Sequence, residues 1–575
     1  MKKILLFSVI IFTLLFSSAC GVRDTSVDIS DNTDNADNIV TDIEDADVDT
    51  DKICIDAIHG LNEQINISMF KPDSGDCVVS YKAAGADEFT VIDKELIIDD
   101  GNMLNCYIIG LKKGIYDVRI ETGNGENFAR ATISGIDVEK QDRSGYAHFK
   151  REEGIGGYNN DGTVKENAKI IYLTNENKNT ITLDINGTTY TGLVQILQAN
   201  ETMTEPLIIR VLDTITTNQW NPINKGPRIS DYTVIEDDYF IEEFSDQYGE
   251  NIIGLPIHIY SSQVDKQYLY TTTADGIVLS QVIEGEGNTY DACSMNMIDV
   301  NNAGNITIEG VGPRAGFFQF GIWFHYSDSI EVRNLTVEQY PVDGLGFYAF
   351  GKVDQHGGYW IHNNTFKAGC NSWGEGDVDG DEPIDLADVN HVTFSYNKFY
   401  QTGKTMLLGG WEYDACLNVT FHHNYYQECY QRLPLSRNSN IHNYNNYYED
   451  CARGLSPRSN SYVFGESNYF KGVGETYYIS GTETWGAVKS WNEIYYECRN
   501  TEIVTVVSER EEYVENTCKP DEITDYSKFD SDPELFYYDV ENKCSDVEIM
   551  HTAEEVPEFV KKHAGAGVNA RVDIE

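Results

Sequence analysis

An asparagine followed within two positions by an apolar or aromatic residue recurs through the second half of this chain. It appears in stretches such as NNTFKA, YNKFYQ, HNYYQE and NNYYED, and the recurring residues are Asn305, Asn334, Asn364, Asn397, Asn424, Asn446, Asn468 and Asn492. The last three intervals are 22, 22 and 24 residues, and the earlier ones run from 27 to 33. A constant unit with variable insertions is typical of a parallel β-helix, in which each coil stacks on the last.

The repeated asparagine has a mechanical reason in such a solenoid. Its side chain tolerates the left-handed backbone of a tight bend and can hydrogen-bond to the equivalent amide one coil away. The chain lacks the pattern of a leucine-rich repeat, and a propeller would need longer and more uniform blades. Cys429 and Cys451 each follow a repeat asparagine by five residues. We expect them to be vertical neighbours about 4.8 Å apart, stacked as small buried residues and not bridged.

Two further groups of residues also suit the interior or the corners of the coils. The tyrosines of NYYQECY and NYYED are expected to form aromatic stacks inside the solenoid. His422, His423 and His442 are interpreted as packing or corner residues, although adjacent histidines also invite a metal or general-base interpretation.

The chain of 575 residues is longer than one hydrophobic core usually supports, and its texture changes along its length. Short alternating runs such as CVVSYKA, FTVIDKELIID and NCYIIGLKKGIYDVRIETG predict a small β-sandwich at residues 52–140. The stretch GLKKGIYDVRI resembles the late strands of a fibronectin type III domain. We therefore predict an all-β protein in which this sandwich precedes a parallel β-helix domain at residues 141–575.

The N-terminus is typical of an export signal. Lys2 and Lys3 precede an apolar run that ends at Phe16, and the small residues before Cys20 resemble a bacterial lipobox. That resemblance implies lipidation of Cys20 after removal of the signal in residues 1–20, with ordinary cleavage as the alternative. Residues 21–51 are rich in aspartate and poor in large apolar side chains, which predicts a disordered acidic linker. We expect an exported protein, either a cell-surface lipoprotein or a secreted one, with no membrane contact beyond such an anchor.

The charge balance restricts the possible partners. The chain has 42 Lys and Arg against 93 Asp and Glu, a formal net charge of −51. Such a surface field repels polyanions, so nucleic acid and anionic membrane surfaces are improbable partners. An anionic substrate would need a locally cationic site or a bridging metal ion.

An acidic segment between two repeat asparagines, GEGDVDGDEPIDLAD, is the strongest candidate metal site. Its carboxylates are Glu375, Asp377, Asp379, Asp381, Glu382, Asp385 and Asp388. Hard oxygen ligands at this density suit Ca²⁺. The segment does not have the spacing of an EF-hand loop, and a solvated acidic loop is the plain alternative.

The segments HVTFSYNKFYQTGKTMLLGG, NVTFHHNYYQECYQRLPLSRNSNIHNYNNYYED and LSPRSNSYVF resemble, in order and spacing, the core of the pectate lyase superfamily, polysaccharide lyase family 1. The element R-x-P-x-x-R followed by H-x-Y-N-N carries most of this resemblance, which covers residues 141 to about 500. DRSGYAHFKREEGIGGYNNDGT is similar to the start of family members that carry a fibronectin-like domain ahead of the lyase. The resemblance implies a right-handed parallel β-helix and a lyase that acts on α-1,4-polygalacturonate (pectate).

The resemblance also implies roles for four basic residues. Arg432 matches the family's Brønsted base, and Arg437 matches an arginine that supports the base and the substrate carboxylate. Lys404, in GKTMLLG, matches a lysine that binds that carboxylate, and Arg458 matches a further basic residue of the substrate groove. A base of this kind needs its pKa lowered by neighbouring cations, and it predicts an alkaline activity optimum.

The same resemblance implies calcium ligands. They would be Asp381 and Asp385 together with Asp343, and Asp377 or Asp379 could take the place of Asp381 if the loop carries an insertion. The chain departs from the family pattern at Ala387, where a lysine is usual, and this departure puts the subsite preference in doubt more than the reaction.

The predicted activity is therefore calcium-dependent β-elimination of pectate by a monomeric enzyme. A pectin lyase acting on methyl-esterified polymer without calcium would share the fold. A polygalacturonase would hydrolyse the chain with paired carboxylates, and a non-catalytic surface protein would bind pectate without forming product. Chelator sensitivity and formation of an unsaturated product separate these alternatives.

Overall fold

The structure, a computed structural model, describes residues 53–72, 76–124, 128–216, 252–260, 267–273, 278–284, 297–318, 320–338, 340, 343–367, 382–478, 486–499, 506–507 and 551–574. The predicted signal segment, the acidic linker and Cys20 lie outside these residues. The two described α-helices span seven and eight residues, and no described helix has the length and apolarity of a membrane span.

The first domain is a β-sandwich of eight strands. The strands are β1 Ile55–Gly60, β2 Gln64–Phe70, β3 Cys77–Ala83, β4 Thr90–Val91, β5 Ile97–Asp99, β6 Met103–Ile109, β7 Gly114–Thr122 and β8 Ala129–Val138. They form two antiparallel four-stranded sheets, β1-β2-β6-β5 and β4-β3-β7-β8, which share one apolar core. The predicted sandwich is confirmed, since alternating side chains of both sheets face this core. Its exact boundary at residues 52–140 stays a prediction.

The second domain is a solenoid of short strands. In chain order these are β9 Lys169–Leu173, β10 Thr182–Ile185, β11 Thr188–Thr191, β12 Leu207–Val211, β13 Thr214–Thr216, β14 Ile252–Tyr260, β15 Gln267–Thr273, β16 Val278–Glu284, β17 Met297–Asn301, β18 Gly304–Gly310, β19 Gly316–Phe318, β20 Gly321–His325, β21 Asp328–Arg333, β22 Thr336–Glu338, β23 Leu345–Tyr348, β24 Gly357–His362, β25 Thr365–Lys367, β26 Ile384–Ala387, β27 Val389–Ser395, β28 Lys398–Tyr400, β29 Met406–Leu408, β30 Cys416–His422, β31 Tyr425–Gln427, β32 Leu435–Ser436, β33 Ser439–Tyr444, β34 Tyr447–Glu449, β35 Arg453–Pro457, β36 Tyr462–Glu466, β37 Tyr469–Lys471, β38 Glu475–Tyr477, β39 Ala487–Trp491, β40 Ile494–Tyr496 and β41 Val506–Val507. The α-helices are α1 Leu193–Ala199 and α2 Val556–His563.

Three long parallel sheets run the length of this solenoid. They contain eleven strands (β41-β39-β36-β33-β30-β27-β24-β21-β18-β12-β9), nine strands (β13-β19-β22-β25-β28-β31-β34-β37-β40) and eight strands (β17-β20-β23-β26-β29-β32-β35-β38). From β17 to β40 each coil contributes one strand to each sheet, and strand order follows coil order. Strands β9, β12, β13 and β41 extend these sheets at their ends, whereas β10-β11 and β14-β15-β16 form separate antiparallel sheets. The predicted parallel β-helix is confirmed. We call the outer side of the eight-stranded sheet the groove face.

The predicted asparagine ladder is confirmed in five coils. Asn364, Asn397, Asn424, Asn446 and Asn468 are all fully buried. Each side-chain oxygen accepts a hydrogen bond from the backbone N–H one coil earlier, at N···O distances of 2.8–3.0 Å. Each side-chain NH2 donates to a backbone carbonyl at 2.7–2.8 Å. The ladder therefore satisfies backbone groups that water cannot reach.

The prediction is wrong for three of the repeat asparagines. Asn334 and Asn492 lie one residue before the ladder position, at the left-handed corner, with φ of 55° and 52°. Their coils place Leu335 and Glu493 at the ladder position instead, and Glu493 accepts the last ladder bond from Asn468 at 2.6 Å. Asn305 lies at another corner, inside β18. The left-handed bend and the ladder bond therefore belong to neighbouring residues and not to one asparagine.

Side chains of one type stack along the interior of the solenoid, as expected. Phe399, Tyr426, Tyr448 and Phe470 form a continuous stack with centroid separations of 4.5–5.1 Å. Cys429 and Cys451 occupy equivalent sites one coil apart, each thiol donating to a carbonyl two residues before it and to one in the preceding coil. The seven described cysteines are free thiols.

The C-terminal residues 551–574 pack against the outside of the coils. Helix α2 buries Val556 and Val560 against tyrosines of β31 and β34. His551 exchanges two backbone hydrogen bonds of 2.8 Å with the Asn445 side chain. Further along, Val572 does the same with Asn62 of the sandwich, also at 2.8 Å. This segment therefore joins the solenoid to the sandwich.

Candidate functional site

The groove face collects charged side chains because strand side chains alternate in direction. In β26, Ile384 and Leu386 point into the core and are fully buried, so Asp385 between them points outward. Asp385 is paired in register with Gly346 of β23 and Leu407 of β29, and Leu407 is paired with Leu435 of β32.

A second row of side chains lies three residues before each of these paired positions. It consists of Asp343, Glu382, Lys404, Arg432 and Arg453, one from each of five consecutive coils. We call this set the charged row. Two carboxylates are followed by three cations along the solenoid axis, at the edge where the chain enters the sheet.

The strand register is irregular next to Arg432. Lys404 is paired with Gln431, an offset of 27 residues, whereas Leu407 is paired with Leu435, an offset of 28. One additional residue must therefore be absorbed between these two pairs, as in a β-bulge. Arg432 lies in this interval and has a left-handed backbone, with φ of 62°. The N–H groups of Thr405 and Met406 bond the carbonyls of Gln431 and Arg432 with the same offset, so the additional residue follows Arg432. Its side chain is about a quarter exposed, at 25%.

Arg432 and Glu382 form a direct ion pair. The Arg432 Nη1 donates to Glu382 Oε1, and the Glu382 side chain is buried. A carboxylate in contact stabilises the charged guanidinium, because it favours the protonated form over the neutral one. The sequence led us to expect neighbouring cations, which lower the pKa of Arg432. The structure adds a carboxylate partner, which raises it.

Asp343 begins the charged row and is buried. Its Oδ2 accepts hydrogen bonds from Trp323 Nε1 at 2.8 Å and from the Tyr348 hydroxyl at 2.9 Å. Burial, followed by the negative charges of Asp343 and Asp385, raises the pKa of Tyr348 well above its ordinary value.

Arg437 and Arg458 lie at the opposite edge of the groove face. Each follows the last residue of a strand, β32 and β35, and they occupy equivalent positions in adjacent coils. Arg437 Nη1 donates to the Gly409 carbonyl at 2.7 Å. The groove face therefore has cations on both edges of its downstream strands.

The structure describes only some of the other carboxylates of the acidic segment. Asp377, Asp379 and Asp381 lie outside the described residues, so their predicted roles stay predictions. Asp388 is a structural residue, because its carboxylate accepts from the backbone N–H of Gly351 at 2.6 Å and of Ala415 at 2.9 Å. Glu382 was recognised only as part of the acidic segment. Its place in the charged row follows from the strand register, because Glu382 lies three residues before Asp385.

The adjacent histidines form a hydrogen-bonded chain away from the groove face. His422 Nε2–H donates to the Ser144 carbonyl at 3.2 Å, so its Nδ1 accepts from the Nδ1–H of His423 at 2.9 Å. The His423 Nε2 in turn accepts from the Nδ1–H of His551 at 3.2 Å. Ligand atoms of Asp142, His422 and His423 lie within 4.8 Å of one another. Neutral imidazoles satisfy every one of these contacts, which agrees with a packing role.

Comparison with known families identifies the part of the chain that carries this face. The family model described as pectate lyase matches residues 265–508. This segment is therefore similar to the pectate lyase family. Pectate lyase B of Dickeya chrysanthemi is 33% identical over 139 residues, which is 23% of this chain and 37% of that protein. Pectate lyase 2 of Pectobacterium carotovorum is 31% identical over 143 residues, 24% of this chain and 37% of that protein. The chain thus spans little more than a third of these pectate lyases.

Solved pectate lyases were also found by structural comparison. The pectate lyase of Bacillus sp. N165, in complex with trigalacturonate, covers 75% of this chain with a TM-score of 0.44 and 18% identity. All of that chain is matched, at 100%. Pectate lyase C from Erwinia chrysanthemi, at pH 9.5 with Ca²⁺, covers 75% of this chain and 98% of its own, with a TM-score of 0.42 and 17% identity.

Proposed function

We propose that this protein is a calcium-dependent pectate lyase that cleaves α-1,4-polygalacturonate by β-elimination and releases 4,5-unsaturated oligogalacturonides. The charged row carries the proposal. It brings Glu382, Lys404 and Arg432 together from consecutive coils of the segment that matches the pectate lyase family. Asp385 lies on the same groove face, two strands away from β32 and therefore about 10 Å from it. The Arg432 side chain extends across this distance, because it contacts Glu382 of the coil that carries Asp385.

The reaction needs a base and a means of stabilising negative charge. Removal of the C5 proton places an electron pair next to the substrate carboxylate. That pair forms the C4–C5 double bond as the glycosidic oxygen leaves from C4 and takes a proton from water. Since negative charge develops on the carboxylate, positive groups fixed beside it lower the barrier most.

Arg432 is the proposed base and Lys404 its neighbour in the charged row. A guanidinium has a pKa above about 12, so only a small fraction is neutral at alkaline pH. Lys404 and Arg437, as nearby cations, favour the neutral form of Arg432, whereas the contact with Glu382 opposes it. Arg432 therefore becomes an effective base when Glu382 is drawn away or neutralised. Lys404 and Arg437 would also bind the substrate carboxylate, with Arg458 extending the basic edge.

The donor set of the groove face fits calcium. Asp343, Glu382 and Asp385 supply hard oxygen atoms from two adjacent coils, and Asp377 or Asp381 would complete the set. Bound Ca²⁺ would supply positive charge to the carboxylates of the substrate. Engagement of Glu382 by such an ion would also release Arg432 from its ion pair.

The first test follows formation of the conjugated double bond by ultraviolet absorbance during incubation with polygalacturonate. We expect product to form at alkaline pH, and Arg432→Ala to reduce kcat by about 10²–10⁴-fold. Arg453→Ala is the matched control, since Arg453 lies in the same row one coil further and pairs with Glu475 at 3.1 Å. Cleavage without absorbance would indicate a hydrolase, and binding without cleavage would indicate a non-catalytic protein.

The second test concerns calcium. We expect chelation to abolish activity and added Ca²⁺ to restore it. Asp385→Asn should raise the calcium concentration for half-maximal activity by about tenfold or more. Asp388→Asn should leave that concentration unchanged, because Asp388 binds only backbone N–H groups. Full activity in chelator would favour a pectin lyase.

We further propose that the protein is exported, either anchored through Cys20 or released by ordinary signal cleavage, and that it is a monomer. The composition of the first 51 residues supports export. Mass spectrometry of the mature N-terminus from a bacterial host would show whether Cys20 carries lipid.

A further inference from the structure

The groove face is uneven in charge along the solenoid axis. Its three upstream strands, β17, β20 and β23, have the sequences MIDVN, GIWFH and LGFY and contain no lysine or arginine. Their outward side chains are Asp299, Asn301, Trp323, His325, Gly346 and Tyr348, which we call the upstream floor. The cations of the site all belong to later coils, from Lys404 to Arg458.

The polar groups of the upstream floor are engaged with one another. His325 Nε2 lies 3.3 Å from Asp299 Oδ1, and the His325 ring stacks on Tyr348 at 5.3 Å. Trp323 donates to Asp343. Phe350 is 49% exposed and stacks on the other side of Tyr348 at 5.5 Å. The floor therefore offers aromatic surface and carboxylates.

The part of the groove face whose strands provide no cation continues into the next coil. Ala387 is paired in register with Tyr348, and it is followed along the same row by Gly409 and then Arg437. The lysine nearest to Phe350 in sequence, Lys352, lies over the ring of Tyr326 at 4.7 Å. The first cation along this row is thus Arg437, beside the proposed reaction centre.

A polymer lying along the axis crosses one coil for about every 4.8 Å. A uronate carboxylate above the upstream floor would face Asp299 in a site whose strands provide no cation, and like charges repel strongly where water is partly excluded. A methyl ester carries no charge, and its methyl group can pack on aromatic side chains. The reacting uronate, in contrast, needs its free carboxylate beside Lys404.

We propose that the upstream floor is a subsite for an uncharged sugar residue, specifically methyl-esterified galacturonate, so that the preferred substrate is partly esterified pectin. The inference rests on the proposed lyase function and deepens it. A chain with free carboxylates at the reaction centre and esters upstream fits both halves of the groove face. Phe350, which stands at the exposed edge of the floor, is the residue through which this preference can be changed.

The experiment uses one pectin de-esterified to several degrees, so that chain length stays constant, at fixed Ca²⁺. We expect kcat/KM for unsaturated product to be highest at intermediate esterification and lower on both polygalacturonate and fully esterified pectin. Phe350→Lys places a cation at the floor. It should raise kcat/KM on polygalacturonate relative to partly esterified pectin by about threefold or more.

Tyr496→Lys is the matched control, because Tyr496 is also 49% exposed but lies on β40 of the nine-stranded sheet. It should leave the ratio unchanged. A wild-type rate that falls steadily with esterification, or a preference for polygalacturonate that grows as Ca²⁺ is raised, overturns the subsite and leaves the lyase function in place. A protein that forms no unsaturated product from any of these pectins refutes both proposals.

Discussion

Arg432 stands in an environment that pulls its pKa in two directions. Lys404, its neighbour in the charged row, favours the neutral guanidine, while the Glu382 carboxylate in direct contact favours the guanidinium. An ion pair of this kind holds Arg432, the proposed base, in place but keeps it protonated. The Glu382 carboxylate therefore controls whether Arg432 is protonated.

Glu382→Gln should reveal this control. The variant keeps the shape of the side chain and removes its charge, so the pKa of Arg432 should fall. The acidic limb of the kcat/KM against pH profile should then move to lower pH by about one unit, because one pKa unit corresponds to only about 1.4 kcal/mol of interaction. The profile is measured at saturating Ca²⁺, since Glu382 is also a candidate ligand.

Glu475→Gln provides the control for that measurement. Glu475 pairs with Arg453 in the same charged row, and the Arg453 Nε–Glu475 Oε2 distance is 3.1 Å. Its replacement should leave the profile in place. If Glu382→Gln moves the acidic limb upward instead, Glu382 does not restrain Arg432 in the manner described.

From the sequence, single residues of the candidate site can be proposed more readily than the contacts between them. Arg432 and Lys404 belong to a compact motif, and the structure pairs Lys404 with Gln431, the residue directly before Arg432. Glu382 could not be chosen from seven neighbouring carboxylates, because its role depends on strand register and on the extra residue after Arg432. Local sequence carries chemistry, whereas register arises from the stacking of distant coils.

At the scale of elements, the asparagine ladder determines where each coil turns. Asn424 accepts a hydrogen bond from the Asn397 N–H at 3.0 Å and donates to the Phe394 carbonyl at 2.8 Å, in full burial. Asn424→Ala leaves both groups unsatisfied. We expect a loss of about 2–6 kcal/mol in the free energy of unfolding, from one to three for each unpaired group.

Asn460→Ala is the control for the ladder variant. Asn460 also bonds another asparagine one coil away, donating to Asn438 at 3.2 Å, but this contact is exposed to water. Its replacement should cost about 0.5 kcal/mol or less. Equal losses in denaturant titrations of the two variants would show that burial of the ladder does not stabilise the coil.

The repeat in the sequence predicted the solenoid but misplaced some of its corners. Asparagine suits both the left-handed corner and the ladder position that follows it, so its recurrence alone does not distinguish the two. Asn363 and Asn364 occupy both positions in one coil. Where only one asparagine is present, as at Asn334 and Asn492, it occupies the corner, so the spacing of asparagines predicts the ladder position one residue too early.

The whole molecule is held together by contacts between segments that are distant in sequence. Residues 551–574 bond the corners of the coils and then Asn62 of the sandwich. Arg143 forms a buried ion pair with Glu63 across the same junction, with Arg143 Nη2 3.0 Å from Glu63 Oε2. Nothing in the repeat indicates these contacts, because each joins unlike segments once and leaves no periodic signal.

Buried titratable groups on both sides of neutrality limit the pH range of the fold. Burial lowers the pKa of His362 and His423, and it lowers the pKa of His391 to about 4. The unfolded chain therefore binds more protons than the folded one below the ordinary histidine pKa of about 6.5, so stability should fall as pH decreases from there.

Burial also raises the pKa of tyrosines, to about 12 at Tyr107. The unfolded chain then loses protons first above about pH 10, and stability should fall again.

The expected outcome is a plateau of the melting temperature between about pH 7 and pH 9.5, with declines on both sides. Scanning calorimetry across this range, with Ca²⁺ removed by chelation so that ligand binding does not contribute, measures it. His423→Gln should make the acidic decline shallower, since one neutral buried imidazole no longer has to resist protonation. The plateau lies where a guanidine base begins to be available, so the fold is most stable under the alkaline conditions that the proposed reaction requires. A melting temperature that rises steadily from pH 7 down to pH 5 would contradict this account of the buried histidines.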